Sequence, residues 1–382
     1  MNQQISIEDQ IRAKAKTLGF DLIKFSKVQP FIRDEKAAIQ RIRKGFMGNL
    51  SWYTEDRVHT ANNPQFLLNK AKSIISVCMS YFVKQDQFLK KKSLQGKIAR
   101  YAWGDDYHTV MKKKLKILLS SLSEIAELPV TGRVFVDDGS MNDRAVAEQS
   151  GLGWFGKNTN ILTSTYGSWV VLGSILTDLK LTPDQVLKKN CGSCTTCIDL
   201  CPTGAIVGPY ILDSRKCISY LTIELKGIIP RNIRNAIGSW IFGCDICQDV
   251  CPVNRNISET TIPEFFPQST NHTLPELLPL LNLNEYEFRE KFKNSPIKRA
   301  KLEGLKRNVC VALGNSQNPK AIPALTKMLY TETELIKIHA AWALGQIGGK
   351  SACKTLQNAY EKEISKDVQK EISLSLKDMD VK

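Results

Sequence analysis

The sequence predicts an α+β protein in three parts, and three observations carry that prediction. Helical patterns alternate with apolar, β-branched runs through the first 180 residues. Eight of the eleven cysteines crowd between Cys191 and Cys251, and after Pro263, Pro267, Pro275 and Pro279 a helical pattern repeats itself. The expected boundaries are 1–180 for an α/β domain, 181–262 for a bacterial ferredoxin-like two-cluster module, and 263–382 for an all-α tail of HEAT-like repeats. Two or three domains suit 382 residues, and an apolar content of 42% is enough for real cores.

In the first part, the runs Ser73–Cys78, Arg133–Val136 and Ser168–Leu172 read as strands. Asp137 and Asp138 stand where the second of these ends. Asp138 with Gly139 is turn chemistry. Asp137 is singled out because strand ends in α/β domains border ligand crevices, where an apolar wall raises a carboxyl pKa and keeps a proton available for general acid catalysis. Downstream, Asn142 caps a helix over Asp143–Gln149 that Gly151 stops. The run Gly151-Leu152-Gly153-Trp154-Phe155-Gly156 matches G-x-G-x-x-G, but a dinucleotide fingerprint follows a strand and opens a helix. Here the helix comes first and strands follow, so these glycines instead let backbone pass close to something bulky.

The cysteine segment sets the class of chemistry. Cys191, Cys194, Cys197 and Cys201 follow C-x2-C-x2-C-x3-C with Pro202 next, the bacterial ferredoxin run, in which the fourth cysteine ligates the other cluster. Cys217, Cys244, Cys247 and Cys251, with Pro252, repeat the ending and displace the leading cysteine upstream. The expected wiring is crossed. Cys191, Cys194, Cys197 and Cys251 hold one [4Fe–4S] cluster, and Cys201, Cys217, Cys244 and Cys247 hold the other. Structural zinc takes thiolates in twos from two knuckles, which fits three cysteines at successive x2 spacings poorly. Disulfides are disfavoured because Met1 leads into a charged amphipathic segment with no apolar signal core, which points to the cytoplasm. Cys78, Cys310 and Cys353 read as small buried side chains.

The tail repeats at a shift of 31: Val309–Gly314 superposes on Ala340–Gly345, and Ala321 and Leu325 on Ala352 and Leu356. Each unit reads as two helices with Gly314 and Gly345 as caps, a pattern like HEAT repeats. So short an array needs neighbours to cover its apolar faces. A formal charge of +15 asks for a polyanion, and nucleic acid is the leading class. The basic groups are Lys90-Lys91-Lys92, Lys112 to Lys116, and Arg289 to Arg307, which includes Lys298-Arg299 and Lys306-Arg307. No apolar run approaches the length of a membrane span.

Long motifs in this chain resemble one family. They are Val136-Asp137-Asp138-Gly139 through Asp143–Glu148 to Gly151–Asn158, the cysteine run with Cys201-Pro202-Thr203-Gly204-Ala205, Arg215–Thr222, and Phe242–Pro252. The pattern is similar to epoxyqueuosine reductases over nearly the whole chain. That resemblance implies a cobalamin-binding first domain acting with two [4Fe–4S] clusters to reduce epoxyqueuosine to queuosine at the wobble position of tRNA. It implies Asp137 as proton donor, with Asp137, Arg57, Asn158 and Ser219 near the corrinoid. The implied partners are the tRNA anticodon loop and an external electron donor such as flavodoxin or ferredoxin, with no membrane and a monomeric state. Where some members carry a cysteine four residues before a Trp-Gly pair, this chain has Ala99 ahead of Trp103-Gly104, so catalysis here does not depend on that thiol. A corrinoid reductive dehalogenase-like enzyme shares the cofactors, and a non-catalytic ferredoxin-type carrier shares the cysteines.

Overall fold

A computed structural model of the chain describes residues 5–85, 94–137 and 141–380. Lys90-Lys91-Lys92 and Asp138-Gly139 lie outside the described residues. The chain forms two compact units, one from Met1–Lys84, Asp105–Ser214 and Ile246–Phe266, the other from Gln85–Gly104, Arg215–Asp245 and Pro267–Lys382. This division cuts through the cysteine segment rather than following the three contiguous parts expected. The physical reason is that the segment has little core of its own, so its pieces take their burial from different neighbours.

The first unit is built on a four-stranded sheet in the order Leu22–Lys27, Ser73–Ser80, Val170–Thr177, Gly132–Phe135. Every neighbouring pair is antiparallel, so this unit is α+β and not the α/β domain expected. Ser73–Ser80 is buried at every position because the sheet is covered on both faces. On one face, Gly173 lets the helix Tyr107–Ala126 come close: a Cβ there would meet Met111 Sδ at 2.6 Å and Leu115 at 2.8 Å. On the other, Leu176 and Ile74 pack with Ala145 and Val146 of the helix Asp143–Gln149.

That second helix begins and ends as its sequence dictates. The Asn142 side chain accepts from Ala145 N–H, and Gly151 follows at φ +74°. A Cβ on Gly151 would stand 2.0 Å from the Gln185 carbonyl oxygen, so the bulky neighbour its freedom serves is the protein's own backbone. The hairpin Trp154–Phe155 with Ile161–Leu162 comes next, which settles the order as helix then strands.

The second unit pairs Lys97–Ile98 in parallel with Trp240–Phe242 and carries the helices Ile218–Ile223 and Arg231–Ile237. Its bulk is the helical tail, Lys301–Ser316, Ile322–Thr331, Glu334–Ile347, Gly349–Lys362 and Lys366–Asp380. Two expectations fail here. Gly314 and Gly345 lie inside helices rather than capping them. Their missing side chains allow close helix contact, since a Cβ on Gly314 would stand 2.8 Å from the Trp342 ring and one on Gly345 2.7 Å from Ser375 Cβ. The ends are set instead by Gln317 at φ +51° and Gly348 at φ +72°.

Lys306 and Arg307, expected to neutralise phosphates, are buried. Lys306 Nζ donates to Glu332 Oε1 at 2.6 Å. Arg307 donates to the carbonyls of Leu221, Leu225 and Gly227 at 2.6–2.8 Å. Cys78 and Cys310 are buried as expected, whereas Cys353 is only half-buried.

Candidate active site

Asp137 stands two residues past the end of the strand Gly132–Phe135, at φ +44°, a conformation that L side chains rarely adopt. Its backbone N–H donates to Asp143 Oδ2 at 3.0 Å, and Asp143 Oδ1 accepts from Ser174 Oγ at 3.1 Å. Asp143 is buried at the first turn of its helix, where the unpaired amides favour a carboxylate. Tyr107, the first residue of the helix capped by Asp106, donates its hydroxyl to Asp137 Oδ2 at 2.8 Å. Asp137 itself is exposed. A tyrosine hydroxyl and an anchored backbone therefore stand where an apolar wall was expected.

The other side chains singled out for the corrinoid fall in different places. Arg57 lies in the helix Glu55–Ala61, its guanidinium 4.7 Å above the ring of Trp52. Asn158 is buried and turned toward the protein: Nδ2 donates to the Cys247 carbonyl at 3.3 Å, and Oδ1 accepts from Asn160 N–H at 3.2 Å. Ser219 is half-buried in the helix Ile218–Ile223 of the second unit. Ala99, also in that unit, is buried against Gly243, where a Cβ would meet its methyl at 2.6 Å.

The cysteines expected to hold the first cluster all lie in the first unit, and they feel one another. Burial raises the Cys197 thiol to about 11, and the thiolates of Cys251, Cys191 and Cys194 add to the rise. Burial likewise raises Cys251, partly opposed by backbone N–H bonds to its sulfur from Val253 and Asn254. Cys194 goes the other way, lowered by the Thr196 hydroxyl and N–H. Among the described residues, no group of three or more His, Cys, Asp or Glu side chains is arranged to hold a metal ion. A cubane, unlike a single ion, takes its four thiolates on four separate irons. Two half-buried sulfurs that resist ionising beside the other cysteines of the group suit an iron–sulfur cluster that neutralises their charge. Of the remaining four, Cys201 and Cys247 belong to the first unit and Cys217 and Cys244 to the second. Cys201 Sγ accepts from Ala205 N–H at 3.3 Å.

Sequence reasoning missed Tyr107, which lies thirty residues from Asp137 and carried no local signal. It also gave Asp143 no role beyond opening its helix, although its place six residues after Asp137 and one after a cap was a usable clue.

Comparison with known proteins bears directly on this geometry. Residues 62–138 match the epoxyqueuosine reductase QueG family, residues 190–254 a 4Fe-4S double cluster binding domain, and residues 299–377 HEAT repeats. The epoxyqueuosine reductase of Bacillus anthracis is 36% identical over 374 residues, covering 97% of each chain. A crystal structure of an epoxyqueuosine reductase with an epoxyqueuosine-modified tRNA-Tyr stem loop superposes with a TM-score of 0.91 at 34% identity, covering 98% of this chain and 99% of that one. A Bacillus subtilis epoxyqueuosine reductase, whose catalytic aspartate loop is swung out of its active site, superposes equally well, with a TM-score of 0.91 at 34% identity over 98% and 99% of the two chains. Matched along almost its full length at this identity, with a double-cluster segment and a HEAT tail in the expected places, this chain belongs to the epoxyqueuosine reductase family.

Proposed function

We propose that this epoxyqueuosine reductase removes the epoxide oxygen of epoxyqueuosine at the wobble position of tRNA, with Asp137 as the proton donor. The observation that carries the assignment is the exposed Asp137 carboxyl, held at a strand end by Asp143 through the backbone and by Tyr107 through Oδ2. Deoxygenation to an alkene and water consumes two electrons and two protons. Iron–sulfur clusters pass electrons one at a time, and cobalamin, inferred from family resemblance, supplies a two-electron reductant when bound. Tyr107 occupies Oδ2, leaving Oδ1 to carry the proton delivered to the epoxide oxygen. Asp143 and Ser174 fix the backbone so that this proton is presented in one place.

For the clusters, we assign Cys191, Cys194, Cys197 and Cys251 to one, supported by the shared field at Cys197. Cys201, Cys217, Cys244 and Cys247 go to the other, supported by their spacing and by a double-cluster match that spans all eight cysteines. Asn158 spends its carboxamide on the protein and acts through the backbone it pins. Arg57 and Ser219 remain corrinoid contacts on the strength of the resemblance. The geometry of these side chains does not by itself define a corrinoid cradle.

A relative that binds a tRNA stem loop and a formal charge of +15 support tRNA as the partner. With Lys306 and Arg307 buried, the phosphate contacts fall to exposed cations such as Lys113, Lys116, Lys298 and Lys301. Lifting the modified base out of the anticodon loop costs on the order of a few kcal/mol, which such contacts offset. An external flavodoxin or ferredoxin supplies electrons to a monomer in the cytoplasm, a reading that rests on the family resemblance. Among the described residues, no helix is long and apolar enough to cross a membrane.

The test is Asp137→Asn in anaerobically purified enzyme. Iron and cobalt contents stay at the wild-type level, and nucleoside mass spectrometry of treated tRNA finds epoxyqueuosine with no queuosine. Full turnover by this variant overturns the acid assignment.

A further inference from the structure

In the first unit, the backbone around Cys191, Cys194 and Cys197 presents apolar side chains to solvent that the reaction does not use. Leu200, which follows the helix Thr196–Asp199 and stands between Cys197 and Cys201, is 52% exposed. The strand Ile206–Gly208 packs against that helix and pairs antiparallel with Ile211–Leu212. Its register shifts between Ile206 and Gly208, which sets Val207 beside Ile211 on the outer face, at 45% and 37% exposed. Tyr210, just ahead of Ile211, is 44% exposed. Cations frame this patch. Lys157 Nζ donates to the carbonyl of Gly192, next to Cys191, at 2.7 Å, and the Lys157 carbonyl accepts from Tyr210 N–H at 3.0 Å. Lys188 and Lys189, both exposed, lead into Cys191. The acids between Lys188 and Ser214 are Asp199, which accepts from Thr195 Oγ1 at 2.7 Å, and Asp213, which is buried.

We propose that Leu200, Val207, Tyr210 and Ile211, rimmed by Lys157, Lys188 and Lys189, form the docking surface for a small acidic one-electron carrier protein. A carrier must bring its redox group beside a cluster, and the backbone that bears this patch also bears Cys191, Cys194, Cys197 and Cys201. An apolar centre inside a charged rim is the anatomy of a protein interface. Redox encounters bury little surface, below about 1,200 Å² in total, which suits a patch of four side chains. The lysine rim selects an acidic partner and speeds its approach. Phosphate recognition needs cations at the centre, where this surface is apolar. One electron passes at each encounter, lost by the carrier and gained by the cluster, so two encounters supply the two electrons that one epoxide consumes.

The inference rests on the reading that an external carrier feeds the clusters, and the experiment separates the two claims. Holoenzyme is mixed with reduced flavodoxin in one arm and reduced ferredoxin in another, and the second-order rate of carrier oxidation is followed by stopped-flow absorbance. Val207→Glu combined with Ile211→Glu lowers that rate about tenfold or more, and weakens binding of the oxidised, isotope-labelled carrier in NMR titrations. Lys188→Glu lowers it about threefold at low salt, a deficit that fades in ~0.5 M salt. Iron content, affinity for a tRNA stem loop, and turnover driven by the methyl viologen radical, which needs no docking surface, stay at the wild-type level. Should the paired glutamates cost the protein its iron, Lys188→Glu decides the matter. A wild-type carrier rate in either iron-replete variant overturns the docking site, as does a wild-type enzyme that oxidises neither carrier yet turns over with the radical. Stem-loop affinity lost in step with the carrier rate assigns the patch to tRNA and overturns the proposal as well. No queuosine from the wild type with any reductant overturns the reading beneath it.

Discussion

Asp137 is held in a backbone conformation that costs on the order of 1–3 kcal/mol for a residue with a side chain, so something must hold it there. Asp143 does so through a charge-assisted bond to the Asp137 N–H. Removing that acceptor in Asp143→Ala forfeits about 1.5–3 kcal/mol of local restraint, and the single-turnover rate of queuosine formation falls about 10- to 100-fold. Tyr107→Phe removes a bond to an exposed carboxyl and is milder, under about tenfold. A wild-type rate in Asp143→Ala means that the backbone bond is incidental. Asp137 was legible in the sequence because a strand run ended on it within a long family motif. Tyr107 was not, because its contact with Asp137 exists only once the helix has packed on the sheet, and no periodicity records that.

At the scale of elements, the repeat was legible in its period and misread in its glycines. A glycine near a helix end and a glycine at a helix crossing look alike in one dimension. Only the Trp342 ring and the Ala343 backbone, at 2.8–2.9 Å from a notional Cβ, tell Gly314 apart. Gly314→Ala therefore destabilises, by roughly 1–3 kcal/mol through overpacking, although alanine favours helix elsewhere. A melting temperature at or above wild type contradicts the crossing role.

The helix Glu334–Ile347 also carries a pH dependence. Buried His339 donates from Nδ1 to the Leu335 carbonyl, and its Nε2 accepts from Ile229 N–H. The second bond requires the neutral ring, because a protonated Nε2 has no lone pair to accept with. Burial, with repulsion from Arg234, holds its pKa well below the ordinary imidazole value. Below pH ~6.5 the unfolded chain gains a proton that the folded chain refuses, so stability is flat above that value and falls beneath it, by up to about 1.4 kcal/mol per pH unit. His339→Asn, although weaker at pH 7, loses less between pH 7 and pH 5 in urea unfolding. Parallel losses in the two proteins dismiss this account.

For the whole molecule, the sequence showed which parts exist but not how they divide. Eight cysteines between Cys191 and Cys251 read as one module, yet Cys217 and Cys244 fold with the helical tail while the other six fold with the sheet. The reason lies in two residues that sequence assigned to phosphate binding or passed over. Arg307 caps the end of the helix that Cys217 opens, through the carbonyls of Leu221, Leu225 and Gly227. Asn308 Nδ2 donates to the carbonyls of Thr222 and Ile241, the latter in the strand just ahead of Cys244, and Thr222 Oγ1 accepts from Gly243 N–H. The tail thus holds the segments that flank Cys217 and Cys244, and it is also a candidate tRNA surface. Arg307→Met removes the donors and leaves three carbonyls short of partners, a cost of roughly 3 kcal/mol or more. Its effect is to strip iron from the cluster expected at Cys217 and Cys244 while the other cluster's resonance signal persists. Wild-type iron content together with an unshifted unfolding midpoint would show that the tail is an independent appendage.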